Sequence, residues 1–249
     1  MSSRLDTPRR VGLLVTCLMD AMRPAAAFAT VRLLEAAGFT VDVPRAQTCC
    51  GQPGYNGADE QTARALARRV MEMFADHEAV IVPSGSCAGM LIHHYPKLCA
   101  PGTAEHAAAA LAAKTSELCA FLHRHDVQPL EKRWRGGKVV WHDSCASLRE
   151  SSTAEAARAV LGKIDGLDLM EAAEAESCCG FGGLFAVKLP ELSLELADRK
   201  IAALMATGAD IVCGPDPGCL LHLESRIRAR DLPLRVMHVA ELLAGEAPS

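Results

Sequence analysis

Short uninterrupted apolar runs alternate along the chain with longer stretches whose apolar residues recur every three or four positions, and the whole succession occurs twice. VGLLVTC, from Val11 to Cys17, and KVVWHDSC, from Lys138 to Cys145, each end on a cysteine. Runs of this kind suit parallel strands buried on both faces. A helix is predicted after each. In the first copy Pro24 suits a helix start, Ala27, Val31 and Leu34 keep helical spacing, and Gly38 supplies a stop. In the second copy TAEAARAVLG stops near Gly162. A second strand follows, FTVDVP or LDLMEA, and then a CysCysGly loop. The next helix is amphipathic, with a stripe of Leu66, Val70, Met73 and Phe74 in one copy and Leu194, Ala197, Ile201 and Leu204 in the other. A third strand, AVIVPSGSC or ADIVCGPDPGC, delivers a final cysteine at a Gly/Pro turn.

Strands alternating with helices give an α/β class: two pseudo-equivalent Rossmann-like lobes with parallel strands and right-handed crossovers. The expected boundaries are 1–135 and 136–249. Residues 101–135 join the copies and are predicted to hold one helix, AEHAAAALAAKTSELCAFLHRH. Its TSELCAFLHRH end resembles the C-terminal MHVAELLAGE, which extends the repeat beyond its cysteines. Ligands of such folds sit at the carboxyl ends of the strands, where these cysteines fall.

The 249 residues are 50% hydrophobic, enough for a sizeable core. A net charge of −4 and 4% aromatic residues argue against nucleic acid as a partner, and the basic stretch from Arg226 to Arg235 reads as a solvated helix face. The start, MSSRLDTPRRVGLLVTCLMD, has a short apolar stretch without a cleavage pattern and reads as a strand. A cytoplasmic location without a membrane span is therefore expected, since no apolar run approaches the ~18 residues a span needs.

Cysteine placement is the sharpest chemical signal. Between Cys17 and Cys49 lie 31 residues and between Cys50 and Cys87 lie 36; the second copy has 32 between Cys145 and Cys178 and 39 between Cys179 and Cys219. Eight of the 11 cysteines follow this template, which leaves Cys99, Cys119 and Cys213 to pack in helices or strands. In a reducing compartment so many thiols point to metal or redox chemistry rather than to structural disulfides. Four converging thiolates suit zinc or an iron–sulfur cluster. The short knuckles usual for structural zinc are missing, and a cluster offers neighbouring thiolates separate irons. A zinc-binding module and a vicinal disulfide of a redox enzyme stay open as readings of the spacing.

The full pattern, with the stretches TCLMDA, CCGQPGYN, PSGSC, CCGFGGLFAVK, CLLH and VMHVAELL, resembles the cysteine-rich CCG domain. Heterodisulfide reductase, the glycolate oxidase iron–sulfur subunit and the lactate-utilisation type share that domain, and the last is the nearest in form. The resemblance implies an iron–sulfur electron-transfer subunit of a multi-subunit oxidoreductase taking L-lactate to pyruvate, with partner iron–sulfur and accessory subunits. It implies one or two clusters of the 4Fe–4S type, held by Cys17, Cys49, Cys50 and Cys87 and by Cys145, Cys178, Cys179 and Cys219. Heterodisulfide reductase ends each repeat on CxxC, whereas this chain has Met90 and His222 at those points, which weighs against direct thiol/disulfide chemistry. The ferredoxin-like segment of the glycolate oxidase protein is missing too, so electrons would pass through a separate partner. Glycolate stays open as the substrate.

Other constellations are weaker. His142, Asp143 and Cys145 could be read as a nucleophile site, but no oxyanion context accompanies them, and His142 is better read as donating a hydrogen bond near a sulfur. His222 reads as a packed or surface histidine. GFGGLF lacks the spacing of a dinucleotide loop, and Gln52, Asn56, Ser84 and Ser86 are loop residues beside the candidate ligands.

Overall fold

The computed structural model describes residues 10–99, 102–150 and 153–247; the basic start of the chain, residues 1–9, and Pro101 lie outside them. Two four-stranded parallel sheets form. The first contains β1 (Arg10–Leu13), β2 (Thr40–Asp42), β3 (Ala79–Val82) and β4 (Thr115–Glu117) in the order β2–β1–β3–β4. The second repeats that order with β5 (Val139–Trp141), β6 (Leu169–Glu171), β7 (Ile211–Gly214) and β8 (Arg235–His238), as β6–β5–β7–β8. Register is kept as well: Val11 pairs with Ala79 and Val139 with Ile211. The inner strands β3 and β7 are buried along their whole length, which explains their uninterrupted apolar runs.

Three sequence expectations change. The single helix expected from Ala104 onward is two helices, Thr103–Lys114 and Leu118–Arg124, with β4 between them. Thr115, Ser116 and Glu117 are buried, and pairing with β3 outweighs the polar character of the segment and the weak strand propensity of Glu117. β4 thus matches β8, as the likeness of TSELCAFLHRH to MHVAELLAGE implies. The helix Glu60–Met73 buries Ala63, Ala67, Val70 and Met71, leaving Leu66 and Met73 half-buried. In the helix Pro190–Met205 Leu194 is exposed, while Ser193 and Lys200 are buried beside Ala197, Ile201 and Leu204.

The lobes pack by reciprocal exchange. The helix Pro24–Ala36 lies on Val239–Ala244 of the second lobe, and Ala154–Leu161 lies on Leu118–Arg124 of the first. The cysteine-bearing helices cross over similarly, Cys17–Met22 against Pro217–Ala229 and Cys145–Arg149 against Gly85–Gly89. One apolar core runs through this contact, from Leu33, Leu34 and Phe121 to Trp141, Leu161 and Leu242, while Phe74 and Leu204 belong to separate cores on the outer faces of the sheets. At the centre Ser84 Oγ donates to Asp216 Oδ2 at 3.0 Å, and these residues hold matching positions three before Cys87 and three before Cys219.

Glu117 and His238 occupy matching strand ends, and both cap the helix that follows. Glu117 Oε2 accepts from the Ala120 amide, and His238 Nδ1 accepts from the Ala240 amide. Burial pushes the Glu117 carboxyl up to about 7 and holds His238 down to about 4. The raised carboxyl binds its proton more tightly when folded, so its stabilisation is complete below the unfolded carboxyl value and is lost as pH rises through about 7. The buried histidines act in the opposite sense, gaining stability up to their unfolded value near ~6.5. From about pH 4.5 to 7, across which variant and wild type share the histidine effect, Glu117→Gln is therefore expected to gain stability relative to wild type, as read from urea midpoints.

Candidate metal centre

Each quartet is assembled from the same three places. The first and last cysteines stand in the first turn of a helix at the carboxyl end of a strand, and the adjacent pair lies in the loop beyond the edge strand. Cys17 opens Cys17–Met22 after β1, and Cys87 lies in Gly85–Gly89 after β3, where its amide donates to Ser84 Oγ at 3.3 Å. Cys145 opens Cys145–Arg149 under the cap of Ser144, and Cys219 lies in Pro217–Ala229 under the cap of Asp216. Free amides of a first helical turn favour negative charge, so these positions suit thiolates.

The adjacent cysteines turn to different neighbours. Cys17 Sγ donates to Cys49 Sγ at 3.7 Å, and Cys50 Sγ donates to Cys87 Sγ at 3.3 Å. Hydrogen bonds from Cys17 and Cys50 hold Cys49 far below the usual thiol range, while the bonds to Cys49 and burial push Cys17 and Cys50 up. The second quartet repeats this: Cys178 is held low by hydrogen bonds from Cys145 and Cys179, and those two are pushed up. Cys178 Sγ also accepts the Gly180 amide at 3.3 Å. Four sulfurs thus converge in each lobe. That donor set fits a thiolate-bound metal group.

Second-lobe residues close over the first quartet. A cavity of about 330 Å³ is lined by Cys17, Cys49, Cys50 and Cys87 on one side and by Phe181, Leu184 and Pro217 on the other. Val187, 76% exposed, also lines it, and Leu189 and Leu192 of the same lobe are exposed.

A cysteine-rich domain family model, CCG, matches residues 11–92 and 139–224, the two stretches that carry the quartets. Lactate utilization protein A 2 of Bacillus cereus (strain Q1) is 38% identical over 241 residues, covering 94% of this chain and 98% of the relative. Lactate utilization protein A of Geobacillus kaustophilus is 42% identical over 238 residues, with the same shares covered. The chain belongs to the lactate utilization protein A family. Among solved structures, a putative Asp/Glu racemase from Yersinia pestis covers 94% of this chain and 95% of its own at 11% identity and a TM-score of 0.39, too remote to bear on function.

For this family member the remaining predicted residues are placed as follows. Met90 is fully buried in the first lobe's outer core. His222 faces Ser193 Oγ at 3.2 Å and the ring of Phe181. Cys99 packs in the outer core of the first lobe, while Cys119 and Cys213 lie in the core between the lobes, so Cys213 faces away from the packing around Cys219. Ser84 and the Ser86 amide bind Asp216, and Gln52 donates to the Ser86 carbonyl, which fixes the loop around Cys87; Asn56 is exposed. Asp143 is clamped by Arg158, which also grips Glu171, and it accepts from Trp141 Nε1 at 2.6 Å. His142 lies against the second quartet, with one ring nitrogen within 4.8 Å of both Cys179 Sγ and Cys219 Sγ.

Sequence reasoning missed Lys200 and Asp216. Lys200 Nζ donates to the carbonyls of Glu174 and Ala175, and the charge stands near Cys179, Cys145 and Cys219. Its signal was a lysine on the buried stripe, immediately before Ile201. Asp216 was legible only as a turn residue, because its partners come from the other lobe.

The glycine of each CysCysGly loop is in the left-handed region, φ +83° at Gly51 and +88° at Gly180. A Cβ at Gly180 would stand 2.3 Å from the Ser193 carbonyl oxygen, whereas at Gly51 the nearest atom is 3.3 Å away. Gly51→Ala is expected to cost the ~1–2 kcal/mol of left-handed backbone strain, and Gly180→Ala distinctly more. Urea unfolding of the two variants checks the ranking.

Proposed function

We propose that this chain is a cytoplasmic iron–sulfur electron-transfer subunit of a multi-subunit oxidoreductase that oxidises L-lactate to pyruvate, working with partner iron–sulfur and accessory subunits. The observation that carries this reading is the pair of similar thiol quartets, each gathered at strand ends, in a chain whose relatives are named for lactate utilization. Cys17, Cys49, Cys50 and Cys87 would hold one cluster, and Cys145, Cys178, Cys179 and Cys219 the other. Such a group supplies one-electron redox chemistry. The chain's own residues would position it: Ser84, Ser144 and Asp216 cap the helices that present Cys87, Cys145 and Cys219, and Gly51 and Gly180 bend the loops that present the inner cysteines. Lactate oxidation releases two electrons, which suits a relay of one-electron carriers better than a hydrolytic centre. Among the described residues no helix is long and apolar enough to cross a membrane, so any membrane contact would come through a partner.

One observation favours a second reading. Sulfurs 3.3 and 3.7 Å apart also suit a single tetrahedral ion, since a Zn–S length of ~2.3 Å places ligand sulfurs about 3.8 Å from each other. Anaerobic purification followed by iron, zinc and acid-labile sulfide analysis separates the two. Matching iron and sulfide with an EPR signal that responds to reduction supports the electron-transfer subunit. Stoichiometric zinc without sulfide replaces it with a metal-stabilised structural module.

A further inference from the structure

The internal repeat lets each residue around one quartet be compared with its counterpart around the other. Three positions before the first cysteine stand Leu14 and His142, both 1% exposed. In the helix after each CysCysGly loop, where Ala63 stands against Gly51 as Ser193 stands against Gly180, the matching positions seven residues on are Val70 and Lys200, both buried. Around the first quartet these positions carry only hydrocarbon, where around the second they carry an imidazole and a cation.

His142 differs from an ordinary core histidine. His238 is equally buried, but its Nδ1 accepts the Ala240 amide and its Nε2 donates to the Pro215 carbonyl at 3.1 Å. Among the described residues, neither ring nitrogen of His142 has a hydrogen-bond partner. A buried imidazole left unpaired at both nitrogens is destabilising, so a site that retains one is expected to satisfy it by another bond. The side chains that share a common centre with it are Cys179 and Cys219, whose Sγ atoms and the ring nitrogen all lie within 4.8 Å of one another. Thiolate and imidazole together are a familiar donor set for iron and zinc.

We propose that His142 is a metal ligand of the second site, which thereby acquires a nitrogen donor beside Cys179 and Cys219 that the first site lacks. The inference rests on the reading of the quartets as metal sites. A neutral imidazole adds a donor without adding negative charge, and the nearby positive charge of Lys200 raises the potential of the centre. The second site is thus the more readily reduced of the two.

The test uses the full chain, purified anaerobically from cells grown on unlabelled or ¹⁵N-histidine, with pulsed EPR of the reduced protein. The expected result is a strongly coupled nitrogen on one of two cluster signals, which changes isotope pattern with the label. His142→Leu, which places at 142 the residue found at 14, should abolish that coupling, shift the midpoint potential of the same signal, and leave the other signal unchanged. Because the labelled wild-type protein carries the test, poor folding of the variant does not decide it. Iron and sulfide present without strong nitrogen coupling would overturn the ligand assignment while leaving the metal reading intact. A weak coupling alone, as from an N–H donating to sulfur, would overturn it equally. Protein without iron or sulfide, even after reconstitution, would overturn both.

Discussion

Cys178→Ser is expected to empty the second site and leave the first loaded, so that bound iron falls by about half in a chain that carries two clusters. Cys178 is the residue on which its quartet converges: Cys145, Cys179 and the Gly180 amide all donate to it. Serine keeps the shape of the loop but offers a poor ligand for a soft metal. Cys49→Ser should produce the mirror result in the first lobe, where Cys17 and Cys50 converge on Cys49. Each half should then show its own EPR signal in isolation. Cys119→Ser serves as the control, because that thiol is buried in the core between the lobes and its loss should leave iron unchanged. Full iron in both Cys49→Ser and Cys178→Ser would show that the quartets are not the ligands.

The largest loss of stability is expected from Arg23→Ala. Arg23 closes the helix Cys17–Met22, and its side chain, 5% exposed, reaches into the second lobe to bind Glu224 at 2.6 Å and Glu241 at 3.3 Å. Glu241 also accepts the His238 amide at 2.7 Å, which ties the cation to the cap of the last helix. Removing the guanidinium leaves the buried Glu241 carboxylate without its cation, while the half-buried Glu224 keeps Arg228; breaking such a buried pair costs about 3–5 kcal/mol. Substituting all three residues by apolar ones of similar volume should restore much of that loss, since the desolvation penalty disappears with the charges. Urea unfolding of the single and triple variants measures both effects. Arg23→Ala should also speed iron loss from the first site, because the helix it anchors presents Cys17.

How much of this could be read from sequence depended on whether a feature was local. The strands β1, β3, β5 and β7 are short apolar runs buried on both faces, and composition alone marks such runs. The repeat of cysteine spacings located the loops that the fold brings together. β4 was hidden because Thr115-Ser116-Glu117 is polar and follows an alanine-rich helix; it becomes a strand only by pairing with β3. Leu194 was misplaced by one position on its helix, since the buried stripe runs through Ser193 and Lys200 rather than through the more hydrophobic neighbour. The partners of Arg23, Ser84 and Asp216 lie more than 100 residues away in the chain, and no window of sequence contains both ends of those bonds.

The reciprocal packing of the lobes is the geometry of an isologous two-fold dimer, in which every contact is made twice by the same patch. In a true homodimer each substitution would appear in both copies at once. Here both copies are encoded in one polypeptide, so a change at one position is made once, while the shared frame of helix against helix still holds the two centres in matching settings. Leucine can therefore stand at one position where histidine stands at its counterpart, and valine can match lysine, without disturbing the architecture that makes the positions comparable. The two halves form a matched pair whose members are free to specialise.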